Sequence, residues 1–307
     1  LIKTGDVHLV ASKDSMLDLT PYIERDKDEV QLDDFFPNTI EPLKIDGKYL
    51  ALPTTFNVGL LYYNKKLFDE ANVPYPTKDW TMNDFLDAAK KLTKQDDSGK
   101  YVQWGVSTVL GWWGEWLIHV RQAGGDWMQD GKCVLDTPEA ISGLKYFFDK
   151  TTKGEYKVSP STTDDALGGF AGGKTAMEYG GHTGLWLSYN STADLDWDIE
   201  VLPSGLARKE GGEFAVEAYG IHKDTKVPEA AWEVLKFWAG KEGCELMADM
   251  GRPAPRKSVA ELVLSVPKEE RSNPKNMEAL YEAVGTGMTL PTDPNFVPCT
   301  QQVVQPI

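Results

Sequence analysis

Residues Gly168 to Thr175 read Gly-Gly-Phe-Ala-Gly-Gly-Lys-Thr, the spacing of a phosphate-binding loop. That chemistry needs a buried strand before the loop and a helix starting inside it, so that backbone N–H groups converge on phosphate. Upstream, Ser161-Thr162-Thr163-Asp164-Asp165 has no strand pattern. Downstream, Glu178-Tyr179-Gly180-Gly181 cannot sustain a helix. The spacing of Ala166, Phe170 and Ala171 suggests a helix ahead of the lysine, so nucleotide binding is not expected. Catalytic patterns fare no better: the chain has no GxSxG, no HExxH and no Cys/His pair in a recognisable setting. His119 and His182 lie near aromatic or glycine-rich stretches and read as ordinary hydrogen-bonding residues. A glycosidase needs two carboxylates about 5–9 Å apart, and the 47 acidic residues single out no such pair. Asn190-Ser191-Thr192 fits a glycosylation sequon, a pattern that often arises by chance. Cys133, Cys244 and Cys299 are far apart, lack metal-ligand spacing and cannot all pair within one chain. No catalytic residue, metal or cofactor is expected.

The most distinctive chemistry is the aromatic run Gly111-Trp112-Trp113-Gly114-Glu115-Trp116. Tryptophans so closely spaced cannot all face one core, whether in strand or helix. The flanking glycines suggest a loop or an element end. An exposed indole suggests a ligand surface, and a sugar ring has apolar C–H faces that lie well on one. Sugar hydroxyls need amide, carboxylate or guanidinium partners, for which Glu115 and Arg121 are nearby candidates. At least one of Trp112 and Trp116 is expected in the core.

The elements that position these residues alternate between strand and helix. Asp6 to Val10 reads as a short buried strand, Leu17 to Ile23 begins a short helix with Pro21 in its first turn, and Asp46-Gly47-Lys48 is a turn. Leu60 to Tyr63 reads as a strand and Lys65 to Asn72 as a helix. Thr81 with Asp84 caps a helix that carries Phe85, Ala88, Ala89 and Leu92. Thr137-Pro138-Glu139 starts another, with Ile141, Leu144, Phe147 and Phe148 inward. Pro228-Glu229 opens a third, with Trp232, Leu235 and Trp238 on one stripe. This alternation predicts an α/β architecture. The chain has 307 residues, 41% hydrophobic and 26% charged, with no apolar run near the ~20 residues that span a bilayer. A net charge of −15 argues against nucleic acid as a partner. The chain opens and stops abruptly and reads as processed or incomplete at both ends.

Several segments together resemble the extracellular solute-binding proteins of carbohydrate ABC importers. They are Leu17-Asp18-Leu19-Thr20-Pro21-Tyr22-Ile23, Asp46-Gly47-Lys48-Tyr49-Leu50-Ala51-Leu52-Pro53, Leu61-Tyr62-Tyr63-Asn64-Lys65-Lys66-Leu67-Phe68, Trp80 to Phe85, Phe170-Ala171-Gly172-Gly173-Lys174-Thr175-Ala176-Met177, Gly220 to Trp232, and Gly251-Arg252-Pro253-Ala254-Pro255-Arg256. They run in the family's order over nearly the whole chain, and the fifth accounts for the false phosphate loop.

The resemblance implies a two-lobed periplasmic-binding-protein-like fold, each lobe a central sheet flanked by helices. Residues 1–105 and 219–264 would form the first lobe, and 106–218 and 265–307 the second. A hinge would close the lobes on the ligand. It implies a monomeric, non-enzymatic protein in the periplasm, or a lipoprotein at the outer face of the cytoplasmic membrane. Such a protein captures a mono- or oligosaccharide and delivers it to ABC permease subunits. The alternatives are a two-lobed binder of a non-sugar solute and a carbohydrate-active enzyme. Position by position, Asn57 falls where the maltose-binding relative has a sugar-binding carboxylate, and Phe56 beside it would line the cleft. Trp113 falls at a stacking aromatic, with Trp112 beside it and Trp116 close by. Ala218, Tyr219 and Arg252 would also adjoin the ligand. The family's stacking tryptophan after the Lys174 segment is replaced by Gly181-His182-Thr183-Gly184-Leu185-Trp186, so His182, Thr183 or Trp186 would fill that role. The stretch between Val7 and Leu17 is shorter than the family's, so part of its usual pocket is missing or shifted.

Overall fold

The computed structural model describes residues 2–107, 113–129, 131–153, 156–161 and 166–289. The chain folds into two compact units. One is built from Leu1–Asn57 and Phe214–Pro267, the other from Val58–Glu213 and Lys268–Met288. Segment 58–105, expected from sequence in the first lobe, packs in the second unit, because its strands lie inside that unit's sheet.

In chain order the elements that matter are β1 (Ile2–Lys3), α1 (Thr4–Ser12), α2 (Thr20–Arg25), β2 (Leu52–Val58), β3 (Leu60–Asn64), α3 (Lys65–Ala71), α4 (Met82–Leu92), β4 (Lys94–Gln95), β5 (Tyr101–Ser107), α5 (Trp113–Gln122), α6 (Pro138–Thr152), β6 (Thr175–Gly181), α7 (Trp186–Asn190), β7 (Trp197–Glu200), β8 (Glu213–Tyr219), α8 (Pro228–Ala239), α9 (Lys241–Asp249), α10 (Lys257–Ser265) and α11 (Met277–Val284).

In the first unit β8 pairs antiparallel with β1, Ile2 opposite Ala218, and also pairs with β2. Asp6 to Val10, expected as a strand, lies within α1. Val7, Val10 and Ala11 fit a helical face as well as alternation does, and so short a run cannot distinguish the two. Asp46 and Gly47 form the expected turn with left-handed backbones at φ 50° and 82°, joining Lys44–Ile45 to Lys48–Tyr49. On α8, Trp232 is fully buried, and its indole N–H donates to Asp26 Oδ2 at 2.6 Å. Arg256 is buried too, donating to the carbonyls of Val30 and Ala239 and to Asp34. It is a structural clamp between segments of this unit.

The second unit holds a five-stranded mixed sheet in the order β7-β3-β6-β5-β4. β6 runs antiparallel to β3 and parallel to β5. Because strand side chains alternate, Leu61, Tyr63, Val106, Met177 and Tyr179 share one face and join the apolar core with Phe85, Ala88, Ala89 and Leu92 of α4. Thr81 caps α4 as expected: its hydroxyl accepts from the Asp84 N–H, and Asp84 accepts from the Thr81 N–H at 2.8 Å. Thr81→Ala is expected to lose about 1 kcal/mol of stability, read as a lower urea midpoint; an unchanged midpoint would show that the cap contributes nothing.

On α6, Phe147 and Leu144 turn inward to different degrees, but Ile141 and Phe148 are exposed, against expectation. The inward stripe is Ala140, Gly143, Phe147 and Lys150. The reason is close helix packing: a Cβ on Gly143 would sit 2.5 Å from the carbonyl oxygen of His119 on α5. That approach places the smallest residue at the contact and rotates Ile141 and Phe148 to the surface.

Residues 166–173 form consecutive turns where a helix was expected, with Gly168, Gly169 and Gly173 at positive φ. Thr175 then opens strand β6. A phosphate-binding loop would put a helix there, so this segment is a strand lead-in.

Candidate functional site

In the first unit the candidate site is built around Glu217. Strand alternation buries Val216 and Ala218 and turns Glu217 and Tyr219 toward the opposite, more open face of β8. Two donors from separate segments meet the Glu217 carboxylate. Asn57, near the end of β2, donates its amide to Oε1 at 3.0 Å. Arg252 donates a guanidinium N–H to Oε2 at 2.7 Å. Arg252 follows Gly251, whose φ of 76° suits a residue without a side chain. The Thr55 hydroxyl donates to the carbonyl of Pro253, at 2.8 Å, holding that loop beside β2. Asn57 and Arg252, named from sequence on separate grounds, thus share one partner that sequence reasoning missed. An acid inside the otherwise apolar run Phe214 to Tyr219 was the available signal. Tyr219 is exposed and shares the Glu217 face. Phe56 is fully buried, its ring 5.5 Å from that of Phe214, so it packs in the core and lines no open surface.

In the second unit the other named residues separate by role. Trp113 is the first residue of α5; its side chain and the whole of Trp112 lie outside the described residues. Trp116 is half-buried, its ring 5.3 Å from Trp127. His182 is partly exposed, and its Nε2 lies 2.7 Å from Glu213 Oε2. Thr183 is buried. Trp186 is buried, donates its indole N–H to the Tyr62 hydroxyl at 2.8 Å, and packs against Trp197. Glu115 and Arg121 are committed within the fold. Glu115 pairs with Lys150 at 2.8 Å, and Arg121 donates to Asp126 and to the Met288 carbonyl.

Trp186 belongs to an aromatic box with Tyr62, Phe170, Tyr189 and Trp197 on the sheet face opposite the main core. Glu178 of β6 sits on that face, opposite Tyr62 and Ser107 in register. It accepts from the Tyr189 hydroxyl at 2.8 Å and from Ser107 at 3.3 Å. Burial pushes its carboxyl up to about 7, against the opposing effect of the Tyr189 hydrogen bond. Burial, then the Lys150 charge, holds His119 well below its usual value, so its ring is neutral.

Among the described residues, no group of three or more His, Cys, Asp or Glu could hold a metal ion, and no helix is long and apolar enough to cross a membrane. Cys133 is exposed and Cys244 buried, both as free thiols; Cys299 lies outside the described residues.

Residues 2–243 match the model of the bacterial extracellular solute-binding protein family. The chain belongs to that family. This solute-binding protein is 25% identical over 223 residues to a binding protein of Brucella abortus, covering 68% of this chain and 51% of the relative. It is 26% identical over 216 residues to the maltotriose-binding protein of Pyrococcus abyssi, covering 67% and 44%. It therefore spans about half the length of the curated relatives it matches. Among solved structures, it resembles an ABC substrate-binding protein from Listeria monocytogenes in complex with cycloalternan, with a TM-score of 0.81 and 26% identity over 98% of this chain and 76% of that one. A maltose-bound T. maritima protein shares the fold, with a TM-score of 0.73 and 24% identity over 97% and 75%. These likenesses establish the α/β fold of two-lobed periplasmic binding proteins.

Proposed function

We propose that this solute-binding protein captures a neutral mono- or oligosaccharide outside the cytoplasmic membrane and hands it to the permease subunits of an ABC importer. The observation that carries this reading is the likeness over almost the whole chain to the cycloalternan-bound Listeria protein. In this reading the protein is a monomer in the periplasm or lipid-anchored at the outer face of the cytoplasmic membrane, it catalyses nothing, and sugar is bound with no metal or cofactor. Asn57, Tyr219 and Arg252 supply hydroxyl contacts and ring surface from the first unit. Trp112, Trp113, Trp116 and His182 are the further sugar contacts this reading takes from the sequence. Phe56 and Trp186 support the site from the core.

Support for a non-enzymatic role comes from the acids. Glu178, a carboxyl pushed up to about 7 by burial and so able to act as an acid at neutral pH, is sunk in an aromatic box with both oxygens hydrogen-bonded. Its side chain is buried.

A thermal-shift screen tests the reading, since a ligand that binds only the folded state raises the melting temperature. Maltotriose, arabinotriose and a cyclic glucan are the first probes. At least one carbohydrate at 100 times its Kd should add about 2.7 kcal/mol of apparent stability and remain chemically intact after prolonged incubation. A panel in which no sugar shifts the transition while spermidine or citrate does would replace the reading with a non-sugar binder; shortened oligosaccharide products would replace it with an enzyme.

A further inference from the structure

We infer that Glu217 is a specificity-determining residue that restricts this protein to uncharged carbohydrate by neutralising and positioning Arg252. The inference rests on the carbohydrate-capture reading and on the cluster in the first unit.

Glu217 and Arg252 are both partly open to solvent, with side chains 17% and 30% exposed. A pair that keeps this much access to solvent adds less to stability than a fully buried one, so stability is a weak reason for β2, β8 and the Gly251 loop all to converge on one carboxylate. Recognition explains it better. A guanidinium carries five N–H donors in a rigid plane, and among the described residues Arg252 gives a side-chain hydrogen bond to Glu217 alone. Clamped at one edge, the plane is fixed and can present its other donors to sugar hydroxyls. Asn57 on the second oxygen fixes the carboxylate in turn. The arrangement is formally neutral: one carboxylate, one guanidinium and one amide.

A formally neutral cluster discriminates by charge. An unpaired arginine would be a bidentate receptor for a carboxylate, and would draw in uronic acids. With Glu217 held 2.7 Å from Arg252, an incoming carboxylate meets like charge beside the only cation of the cluster. Hydroxyl groups meet no such repulsion. Glu217 thus acts against sugar acids while orienting the donor that neutral sugars use, which is selectivity by a repulsive element as well as an attractive one.

The test is isothermal titration calorimetry of the purified chain and its Glu217→Gln variant with maltotriose, arabinotriose and trigalacturonate, at low and high salt. The wild type should bind one of the neutral probes and bind trigalacturonate at least a hundredfold more weakly. Glu217→Gln should gain at least tenfold in trigalacturonate affinity, and the gain should shrink in high salt. The double variant Glu217→Gln with Arg252→Met should lose it. A purely structural Glu217 would not produce a new anionic ligand. Wild-type protein that binds trigalacturonate as tightly as the neutral probes overturns the inference and leaves carbohydrate capture standing. So does a Glu217→Gln variant with wild-type melting temperature and no gain. Should that variant unfold, Arg252→Met carries the decision: its selectivity against trigalacturonate must persist while neutral-probe affinity falls, and unchanged neutral affinity overturns the proposal. Wild-type protein that binds no carbohydrate at all removes the underlying reading and the inference with it.

Discussion

Replacing Lys150 with methionine is expected to remove about 3–5 kcal/mol from the stability of the second unit, the usual penalty for breaking one side of a buried ion pair. The Lys150 side chain is 0% exposed and that of its partner Glu115 2%, with 2.8 Å between them. Around Lys150 stand the rings of Phe147 at 4.9 Å and Tyr179 at 5.7 Å, and the neutral His119 ring nitrogen at 3.4 Å. Methionine fills much of the lysine stem's volume, so the change removes the charge more than the packing. What remains is a buried carboxylate that has lost its Lys150 counter-ion, with almost no water to replace it. The measurement is urea unfolding followed by circular dichroism. The double variant Lys150→Met with Glu115→Gln should recover most of the loss, because no buried charge is then left alone. If the single variant unfolds at the wild-type midpoint, the ion pair contributes nothing. If the double variant is no better than the single, the loss comes from packing and not from charge.

Glu178→Gln is expected to remove a pH dependence worth up to about 3 kcal/mol between pH 5 and pH 8. The figure follows from a carboxyl raised from 4.5 to about 7 by burial, at about 1.4 kcal/mol per unit. The folded protein holds this proton more tightly than the unfolded chain does. Between about pH 4.5 and 7 the native state therefore binds more protons, and stability falls as pH rises. Stability from this group is full below about pH 4.5 and lost as pH passes 7. A glutamine cannot ionise, and the Ser107 hydroxyl can rotate to accept from its amide. Denaturation of both proteins at pH 5 and pH 8 isolates the effect, since Glu200 and the other acids titrate equally in each. The difference between variant and wild type should grow in the variant's favour from pH 5 to pH 8. A constant difference across that range would mean that Glu178 titrates at an ordinary pH despite its aromatic box.

Local signals carried much of this protein. The Thr81–Asp84 capping box, the Asp46-Gly47 turn and the α4 stripe are decided by neighbours within a few residues, and each forms as its chemistry demands. So does the strand Leu60 to Asn64, a short apolar and aromatic run buried along its whole length. One failure is local in origin and the other is not. Asp6 to Val10 is too short to separate a period of 2 from one of 3.6. On α6 the apolar residues Ile141 and Phe148 lose the inward face to Gly143 and Lys150, because the approach of α5 selects the smallest residue where the helices touch and the Glu115 charge selects a lysine.

By itself the sequence determined the α/β class, the order of family segments and the presence of closely spaced tryptophans among scattered amides and arginines. Tertiary structure alone decided which of those side chains do what. Arg252 and Arg256 are four residues apart in one motif, yet Arg252 meets Glu217 near the surface while Arg256 is buried among carbonyls. Trp186 carries the same indole as the residues of the tryptophan cluster, but its N–H is satisfied by Tyr62 inside the core. The physical reason is that charge pairing and burial depend on partners far away in the chain. Asn57 and Glu217 are 160 residues apart and become neighbours only when β2 and β8 share a sheet.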